Sequence, residues 1–253
     1  VIVMGHKFGD LDSMGSSIAM AMAARCLNKH SVVCVDRHHN LATCLIDRQE
    51  KSGITDLFVE ESEALGMITP RTLLIILDTH NPGFVESGKL YESCKTVVVI
   101  DHHRKMVNHI DNAVIFYHEP FASSASEMVT ELLQYLGDGV VVNRTEAEAL
   151  LAGIMLDTKN FVLKTGVRTF EAAAYLRRLG AETSDVRKYF NTSLSDYQQR
   201  IKLMASAELY HGCAVASTNQ MIEDINVVAA QAADELLNIN GVAASFVMYE
   251  TGR

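Results

Sequence analysis

The sequence is poor in several features, and each shortage argues against a class of protein. It has no tryptophan. It has only three prolines in 253 residues and no low-complexity tract, so we expect no long disordered segment. No apolar stretch approaches the roughly 20 residues that a membrane-spanning helix needs. Neither G-x-x-x-x-G-K-[ST] nor G-x-S-x-G occurs, which argues against a Walker-type ATPase and an α/β-hydrolase nucleophile.

Paired cysteines and excess basic charge are also missing. The five cysteines are odd in number and form no C-x-x-C pair, which is typical of reduced thiols and not of a disulfide scaffold. The formal net charge is −9, and such a chain binds duplex nucleic acid poorly because that affinity comes from Lys and Arg. A phosphate substrate is still compatible with this charge, because bound divalent cations reverse the local field.

Three apolar runs each stop at residues of the kind that bind metals. The runs are Val1–Met4, Leu73–Leu77 and Thr96–Ile100. The residues after them are His6, Asp10 and Asp12, then Asp78, and finally Asp101, His102 and His103. Short apolar runs with β-branched residues are typical of strands buried on both faces of a parallel sheet, where ligands bind at the carboxyl ends. The pattern therefore predicts a metal-dependent hydrolase.

The order of elements predicts an α/β fold with a parallel sheet. Strand and helix patterns alternate up to about residue 122, helical patterns dominate to about residue 207, and short strands return from about residue 211. We expect a domain boundary near residues 190–208. The second unit then has only about 45 residues, which is small for an independent core.

The motifs leave some local alternatives open. Asp10 and Asp12 can bind one metal or two, or Asp12 can cap the helix that follows. The two oxygens of Asp78 suit it to bridge two cations. Of the adjacent histidines, one is expected on a metal and the other on the substrate, with Asp101 fixing the ring orientation.

Three further segments contain residues of the kinds that bind metals or phosphates. Asp157 follows an apolar helix at the end where the helix dipole disfavours negative charge, which suggests a nearby cation. Ser123 and Ser124 open a helix; they either cap it, with a capping box to Glu127, or hold a phosphate, and both roles are compatible. A second histidine pair, at residues 38–39, is interpreted as surface.

Together these segments resemble the DHH phosphoesterase superfamily, over about residues 1–190. The motifs occur in the family's order: His6, Asp10 and Asp12, then Asp78, Asp101-His102-His103 and Asp157. Residues 4–15 and 123–128 resemble GdpP-type cyclic-di-AMP phosphodiesterases. In that family this unit follows membrane helices and sensory domains, which would explain an abrupt start on a strand.

The resemblance implies a specific set of ligands and roles. One Mn²⁺ is expected on His6, Asp10 and Asp78. The second is expected on Asp12, Asp78, His102 and Asp157, so that Asp78 bridges the two ions. Mg²⁺ or Co²⁺ could replace Mn²⁺. His103 and Asp101 are the expected catalytic residues, and His103, Ser123 and Ser124 are expected to bind substrate.

The resemblance also implies a domain plan. Residues 1–190 form the DHH domain and residues 191–208 a linker helix. Residues 209–253 begin a smaller α/β substrate-binding domain. We expect that domain to be incomplete, since the family's Gly-Gly-Gly-His segment is absent.

The expected function is two-metal hydrolysis of cyclic-di-AMP to linear pApA, which lowers the level of this second messenger. The alternatives are a hydrolase of short oligonucleotides or nucleotide phosphates, and a non-catalytic nucleotide or metal sensor. We expect a cyclic or short linear dinucleotide as partner, no duplex nucleic acid, and a homodimer. The fragment is expected to be cytoplasmic without membrane contact, and the intact protein to be anchored in the membrane.

Overall fold

The computed structural model describes residues 1–137, 139–191, 193–219 and 225–250. The chain divides into two compact units, Val1–Tyr189 and Phe190–Arg253. The predicted substrate-binding domain, residues 209–253, includes residues 251–253, which lie outside the described residues. Among the described helices, none has the length and apolar character needed to cross a membrane.

The first unit is built on a six-stranded sheet in which every pair of neighbours is parallel. The strands are β1 (Ile2–Met4), β2 (Val32–Cys34), β3 (Phe58–Val59), β4 (Leu73–Leu77), β5 (Thr96–Asp101) and β6 (Ile115–His118). Their spatial order is β3-β2-β1-β4-β5-β6. The predicted parallel α/β fold is thus confirmed, and the three apolar runs form β1, β4 and β5, whose side chains are almost all buried.

Helices accompany this sheet. They are α1 (Leu11–Cys26), α2 (Thr43–Lys51), α3 (Glu61–Gly66), α4 (Gly88–Ser93), α5 (Ala125–Leu133), α6 (Arg144–Asp157), α7 (Val167–Arg178) and α8 (Thr183–Val186), followed by a 3₁₀ turn at Arg187–Phe190. A Cβ at Gly15 of α1 would collide with the backbone carbonyl of Ala149 in α6. Glycine at this position therefore lets the two helices approach closely.

The strand order determines where the candidate metal-binding residues lie. The chain runs outward from β1 through β2 to β3, then returns to the other side of β1 with β4. Where the order reverses, the loops after β1 and β4 leave in different directions and open a crevice at the carboxyl ends of the strands. The motifs at His6–Asp12 and Asp78 follow these two strands, and the motif at Asp101–His103 follows β5 beside them.

The second unit contains α9 (Leu194–Ala205), β7 (Glu208–Tyr210), β8 (Cys213–Thr218), α10 (Ile225–Leu236) and β9 (Ala244–Tyr249). β7 and β8 are antiparallel, and β8 and β9 are parallel. His211 and Gly212 both have positive φ, which is the two-residue turn that matches the twist of a hairpin. Leu203, Ala214 and Leu236 are among the buried residues of its small core.

Several short elements were not predicted. β6 lies at the edge of the sheet and its residues are only half-buried or exposed, so its apolar pattern is weak. α3 and α4 have only six residues each, too short for a periodic signal.

Candidate metal centre

Asp10 begins the site by capping α1. Its Oδ1 accepts hydrogen bonds from the backbone N–H groups of Asp12, at 2.9 Å, and Ser13, at 3.0 Å. The sequence had left open whether Asp12 caps this helix, and Asp10 does so instead. Asp12 therefore lies in the first turn, where its side chain is fully buried.

The carboxylate of Asp12 faces the start of α5. Its Oδ2 accepts from the N–H of Ala125 at 2.7 Å, and its Oδ1 accepts from the N–H of Ser126 at 2.8 Å. These N–H groups have no partner within their own helix, and the helix dipole favours an anion there. Gly153 of α6 lies against the same carboxylate, since a Cβ built on it would be 2.6 Å from Oδ1.

Asp78 lies between two histidines that come from different strand ends. Its Oδ2 is 3.4 Å from Nε2 of His6, and its Oδ1 is 3.3 Å from Nε2 of His102. Its φ is +62°, a left-handed conformation that is uncommon outside glycine, asparagine and aspartate. A buried residue held in this conformation directly after β4 is typical of a functional site.

The first donor cluster consists of His6, Asp10 and Asp78. Nε2 of His6 is 3.8 Å from Oδ1 of Asp10. Nδ1 of His6 is 2.8 Å from the carbonyl oxygen of Lys7, so Nδ1 carries a hydrogen and donates it. In the neutral ring the Nε2 lone pair then faces the two carboxylates, which is how a metal-binding histidine is oriented by a neighbouring carbonyl.

The second cluster consists of Asp12, His102 and Asp157. Nε2 of His102 is 3.0 Å from Oδ2 of Asp157 and 3.8 Å from Oδ2 of Asp12. Asp157 is the last residue of α6. Since Asp78 contacts His6 in one cluster and His102 in the other, its two oxygens face the two clusters separately.

Burial and mutual repulsion make this group of carboxylates unfavourable without a counter-ion. Burial, and then the charges of Asp78 and Asp157, raise the pKa of Asp12. Burial, and then Asp78, raise the pKa of Asp157. Burial lowers the pKa of His6 and of His102, but the adjoining carboxylates outweigh it and raise each to about 11. Protons thus compensate the negative charge that divalent cations would neutralise.

The donor set fits a pair of divalent cations. Oδ1 of Asp78 and Nε2 of His102 are buried, and neither makes a hydrogen bond of good geometry to any residue that the structure describes, although they lie 3.3 Å apart. This is costly for polar atoms unless they bind something else. Imidazole nitrogen and carboxylate oxygen are ligands that suit Mn²⁺ and related ions. The six predicted metal ligands are therefore brought together in two adjoining clusters, and their binding of metal stays a prediction.

His103 lies at the open side of the site. Its side chain is 54 % exposed, and its Nδ1 is 2.8 Å from Oδ1 of Asp101 and 3.5 Å from Oδ1 of Asp78. The hydrogen bond to Asp101 raises the pKa of His103. Burial opposes ionisation of Asp101, but the bonds from His103 and His80 hold its pKa below the usual range. Asp101 thus turns Nε2 of His103 toward solvent.

A third group, His80, Asp101 and His118, also has the composition of a metal site. Both nitrogens of His80 and Nε2 of His118 already make hydrogen bonds, however. Nδ1 of His80 donates to Oδ2 of Asp101, and Nε2 of His80 accepts the N–H of Met106 at 2.9 Å. Nε2 of His118 donates to the carbonyl oxygen of His103 at 2.6 Å. This group therefore supports the loop after β5 through hydrogen bonds.

Ser123 and Ser124 are fully buried at the start of α5. The hydroxyl of Ser123 donates to Oε2 of Glu127 at 2.5 Å, and the hydroxyl of Ser124 accepts the N–H of Glu127 at 3.0 Å. The predicted helix cap is thus present at Ser124. Because Asp12 occupies the N–H groups of Ala125 and Ser126, no feature of this helix start supports the predicted phosphate contact, which stays a prediction.

Sequence reasoning missed two residues of the site. No role was predicted for His80, although its position just after a buried strand, in Asp78-Thr79-His80, was a signal. Gly153 was not noticed inside an apolar helix. Its contact with Asp12 joins distant parts of the chain, and nothing local in the sequence indicates it.

Comparison with known proteins identifies the family. Residues 1–154 match the model of the DHH family, N-terminal domain. The chain belongs to the DHH family. It is 40 % identical, over 98 % of its length, to the cyclic-di-AMP phosphodiesterase PdeA of Listeria monocytogenes and 41 % identical, over its full length, to the cyclic-di-AMP phosphodiesterase GdpP of Geobacillus thermodenitrificans. It spans 38 % and 39 % of those relatives.

The DHH fold is also seen in solved structures. An exopolyphosphatase-related protein from Bacteroides fragilis superposes with a TM-score of 0.80 at 18 % identity, covering 99 % of this chain and 75 % of that one. At this identity the likeness concerns the fold alone. The family membership predicted from the four motifs is confirmed.

Proposed function

We propose that this chain is a two-metal phosphodiesterase that hydrolyses cyclic-di-AMP to linear pApA. The observation that carries the proposal is Asp78, whose two oxygens face separate donor clusters at 3.4 and 3.3 Å. The similarity to cyclic-di-AMP phosphodiesterases supports the substrate. In this proposal Mn²⁺ ions are held by His6, Asp10 and Asp78 on one side, and by Asp12, Asp78, His102 and Asp157 on the other.

The metals, when bound, would supply an activated water and neutralise charge on the phosphate. The protein holds the side chains that would bind the metals in fixed orientations. Asp12 is held by two N–H groups of α5, and His6 is held by the Lys7 carbonyl, so both face inward at fixed orientation. His103, oriented by Asp101, presents Nε2 to the open side, where it contacts a phosphate oxygen and stabilises the charge that develops.

The domain plan belongs to the same proposal. Residues 1–190 act as the DHH domain, residues 191–208 as a linker helix, and residues 209–253 as the start of the substrate-binding domain. A homodimer and a membrane anchor in the intact protein are further predictions. Sedimentation of the purified chain tests the dimer.

The test of the function is a substrate panel. The protein is stripped of metal with a chelator and assayed with Mn²⁺, Mg²⁺ or Co²⁺ on cyclic-di-AMP, pApA and short 5′-phosphorylated RNA, with products separated by chromatography. We expect pApA from cyclic-di-AMP only when a divalent cation is present. Hydrolysis of short RNA without hydrolysis of cyclic-di-AMP would favour the oligonucleotide alternative. Binding without hydrolysis of any substrate would favour the sensor.

A further inference from the structure

A groove of about 670 Å³ lies between two loops of the first unit. One wall is formed by residues 120–122, between β6 and α5. The other is formed by residues from 161–166, between α6 and α7, and by Phe170 in the first turns of α7. This volume is within the range of small-molecule sites. The residues of the candidate metal centre do not line it, so it is a separate surface feature.

Both walls start from residues that contact the metal centre. The N–H of Glu119 donates to the carbonyl of Asp101 at 3.1 Å, and the N–H of Ala122 donates to the carbonyl of Glu119 at 2.9 Å. The other wall begins at Phe161, four residues after Asp157, so the Cα atoms of these two residues are within about 14 Å of each other. The groove therefore adjoins the centre at the same edge of the sheet.

The walls of the groove are aromatic. The rings of Phe161 and Phe170 stack, with centroids 5.8 Å apart and planes 17° apart. Phe121, on the facing wall, is 95 % exposed. Such exposure of a large ring is unfavourable in water, and it leaves a whole aromatic face available to a flat ligand.

The backbone that presents Phe161 is strained. Lys159, Asn160 and Phe161 have φ values of +47°, +58° and +65°, three consecutive left-handed residues that include a bulky aromatic. The turn is held by the N–H groups of Val162 and Leu163, which both donate to the carbonyl of Thr158 at 2.8 Å. Positive φ at a bulky residue is rare and costs roughly 1–3 kcal/mol, and such strain concentrates at functional sites.

The charge of the groove suits an anionic ligand. Lys164 lines it and forms no ion pair with any residue that the structure describes. A smaller cavity, of about 380 Å³, lies beside Lys7 and Phe8 but is lined by the carboxylates of Asp36, Glu60, Glu61 and Glu86. Those carboxylates would repel a dinucleotide, so the aromatic groove is the better fit of the two.

We propose that this groove binds one purine base of the dinucleotide substrate, with the base stacked on the aromatic walls and the phosphates extending toward the metal centre. Lys164 would attract the sugar–phosphate backbone. The inference rests on the proposed function, because it takes a nucleotide as the substrate. Stacking of a base on an aromatic side chain contributes about 1–3 kcal/mol by alanine substitution, enough to position a substrate for attack.

The experiment compares cyclic-di-AMP with its abasic analogue, which has the same sugar–phosphate ring without bases. We expect Phe121→Ala and Phe170→Ala to lower kcat/KM for cyclic-di-AMP by roughly 5- to 150-fold, the range that corresponds to one lost stacking contact. Hydrolysis of the abasic analogue should not change. Phe121→Tyr should retain activity, whereas Phe121→Leu, which keeps apolar character without an aromatic face, should not.

Tyr135→Ala is the matched control. Tyr135 is 87 % exposed and lines another cavity at the far end of α5, about 15 Å along the helix from the residues that contact Asp12. It should leave both substrates unaffected.

Three results would overturn the inference. Unchanged cyclic-di-AMP kinetics in Phe121→Ala and Phe170→Ala, with the wild type active, would remove the groove from substrate binding and leave the proposed function intact. Equal losses on both substrates would indicate damage to the metal centre. If the wild type hydrolyses neither substrate with Mn²⁺, the proposed function fails and the inference with it.

Discussion

A buried histidine and a buried aspartate on neighbouring strand ends are hydrogen-bonded to each other, as Nδ1 of His80 donates to Oδ2 of Asp101. The other oxygen of Asp101 accepts from Nδ1 of His103. One carboxylate therefore connects an imidazole that is fixed in the core to one that is exposed at the open side of the site. The orientation of His103 thus depends on His80 through Asp101.

The two hydrogen bonds of the His80 ring can be separated by substitution. In His80→Asn the amide is close to the position of Nδ1 and keeps a donor to Asp101. In His80→Gln it is close to the position of Nε2 and keeps an acceptor for Met106. We expect His80→Gln to lower kcat by on the order of 10²-fold with little change in KM, and His80→Asn to stay nearer the wild type.

Kinetics together with manganese content per chain would check this difference. Bound metal should be equal in both variants. Equal loss of kcat in the two variants, or a larger loss in His80→Asn, would mean that His80 does not act through Asp101.

The bridging position of Asp78 predicts a loss at both metal sites. Asp78→Ala should lose most of the Mn²⁺ and at least about 10²-fold in turnover, because one side chain serves both clusters. Asp78→Asn is the matched variant, since asparagine tolerates the left-handed backbone that disfavours alanine. It should unfold like the wild type and still bind less metal. Elemental analysis that finds two Mn²⁺ per chain in Asp78→Ala would reject the bridge.

Substitution of the two adjacent histidines by alanine should have different effects on metal binding and on turnover. His102 is buried and its Nε2 lies 3.0 Å from Oδ2 of Asp157 and 3.3 Å from Oδ1 of Asp78, so His102→Ala should weaken metal binding. His103 is exposed and is bonded to Asp101, so His103→Ala should keep the metal and lower turnover by about 10²–10⁴-fold. His38→Ala, at an exposed histidine, is the control. The same metal loss in His102→Ala and His103→Ala would contradict this division.

Gly153 should be intolerant of even a methyl group. In Gly153→Ala the Cβ would lie 2.6 Å from Oδ1 of Asp12 and would also collide with the hydroxyl of Ser126. We expect a destabilisation of about 1–3 kcal/mol and weaker Mn²⁺ binding, since Asp12 must move. Gly66→Ala, where a Cβ meets nothing within 4 Å, should change neither property. Denaturant unfolding and metal titration measure both, and unchanged metal affinity in Gly153→Ala would exclude a role for close packing at Asp12.

The parts of the fold that were predictable are those in which local sequence and burial agree. β1, β4 and β5 are buried on both faces, so their sequences are continuous apolar runs that end where the polar site begins. Five of the six predicted ligands follow from the same relationship, because parallel strands deliver their ends to one edge. Asp157 is the exception, since it ends helix α6. Family resemblance then supplied the pairing of ligands into two clusters.

The remaining features depend on contacts between distant segments. The hydrogen bond from His80 to Asp101 joins the ends of two different strands, and the contact between Gly153 and Asp12 joins two different helices. The capping role of Asp10 was not predicted, since only Asp12 was considered as the cap, although aspartate at either position suits a helix that begins nearby. Such choices are decided by packing, which a single sequence does not display.

The strand order has a consequence for how this protein is made. β1 lies in the middle of the sheet, between β2 and β4, although it precedes the other five strands of this sheet in the chain. Its partner on one side is synthesised early, but the other side stays unpaired until β4 has emerged. Asp157, the last of the predicted ligands, follows later still. During translation the growing chain therefore carries a half-paired apolar strand, and the candidate metal centre is complete only near the end of synthesis of the first unit.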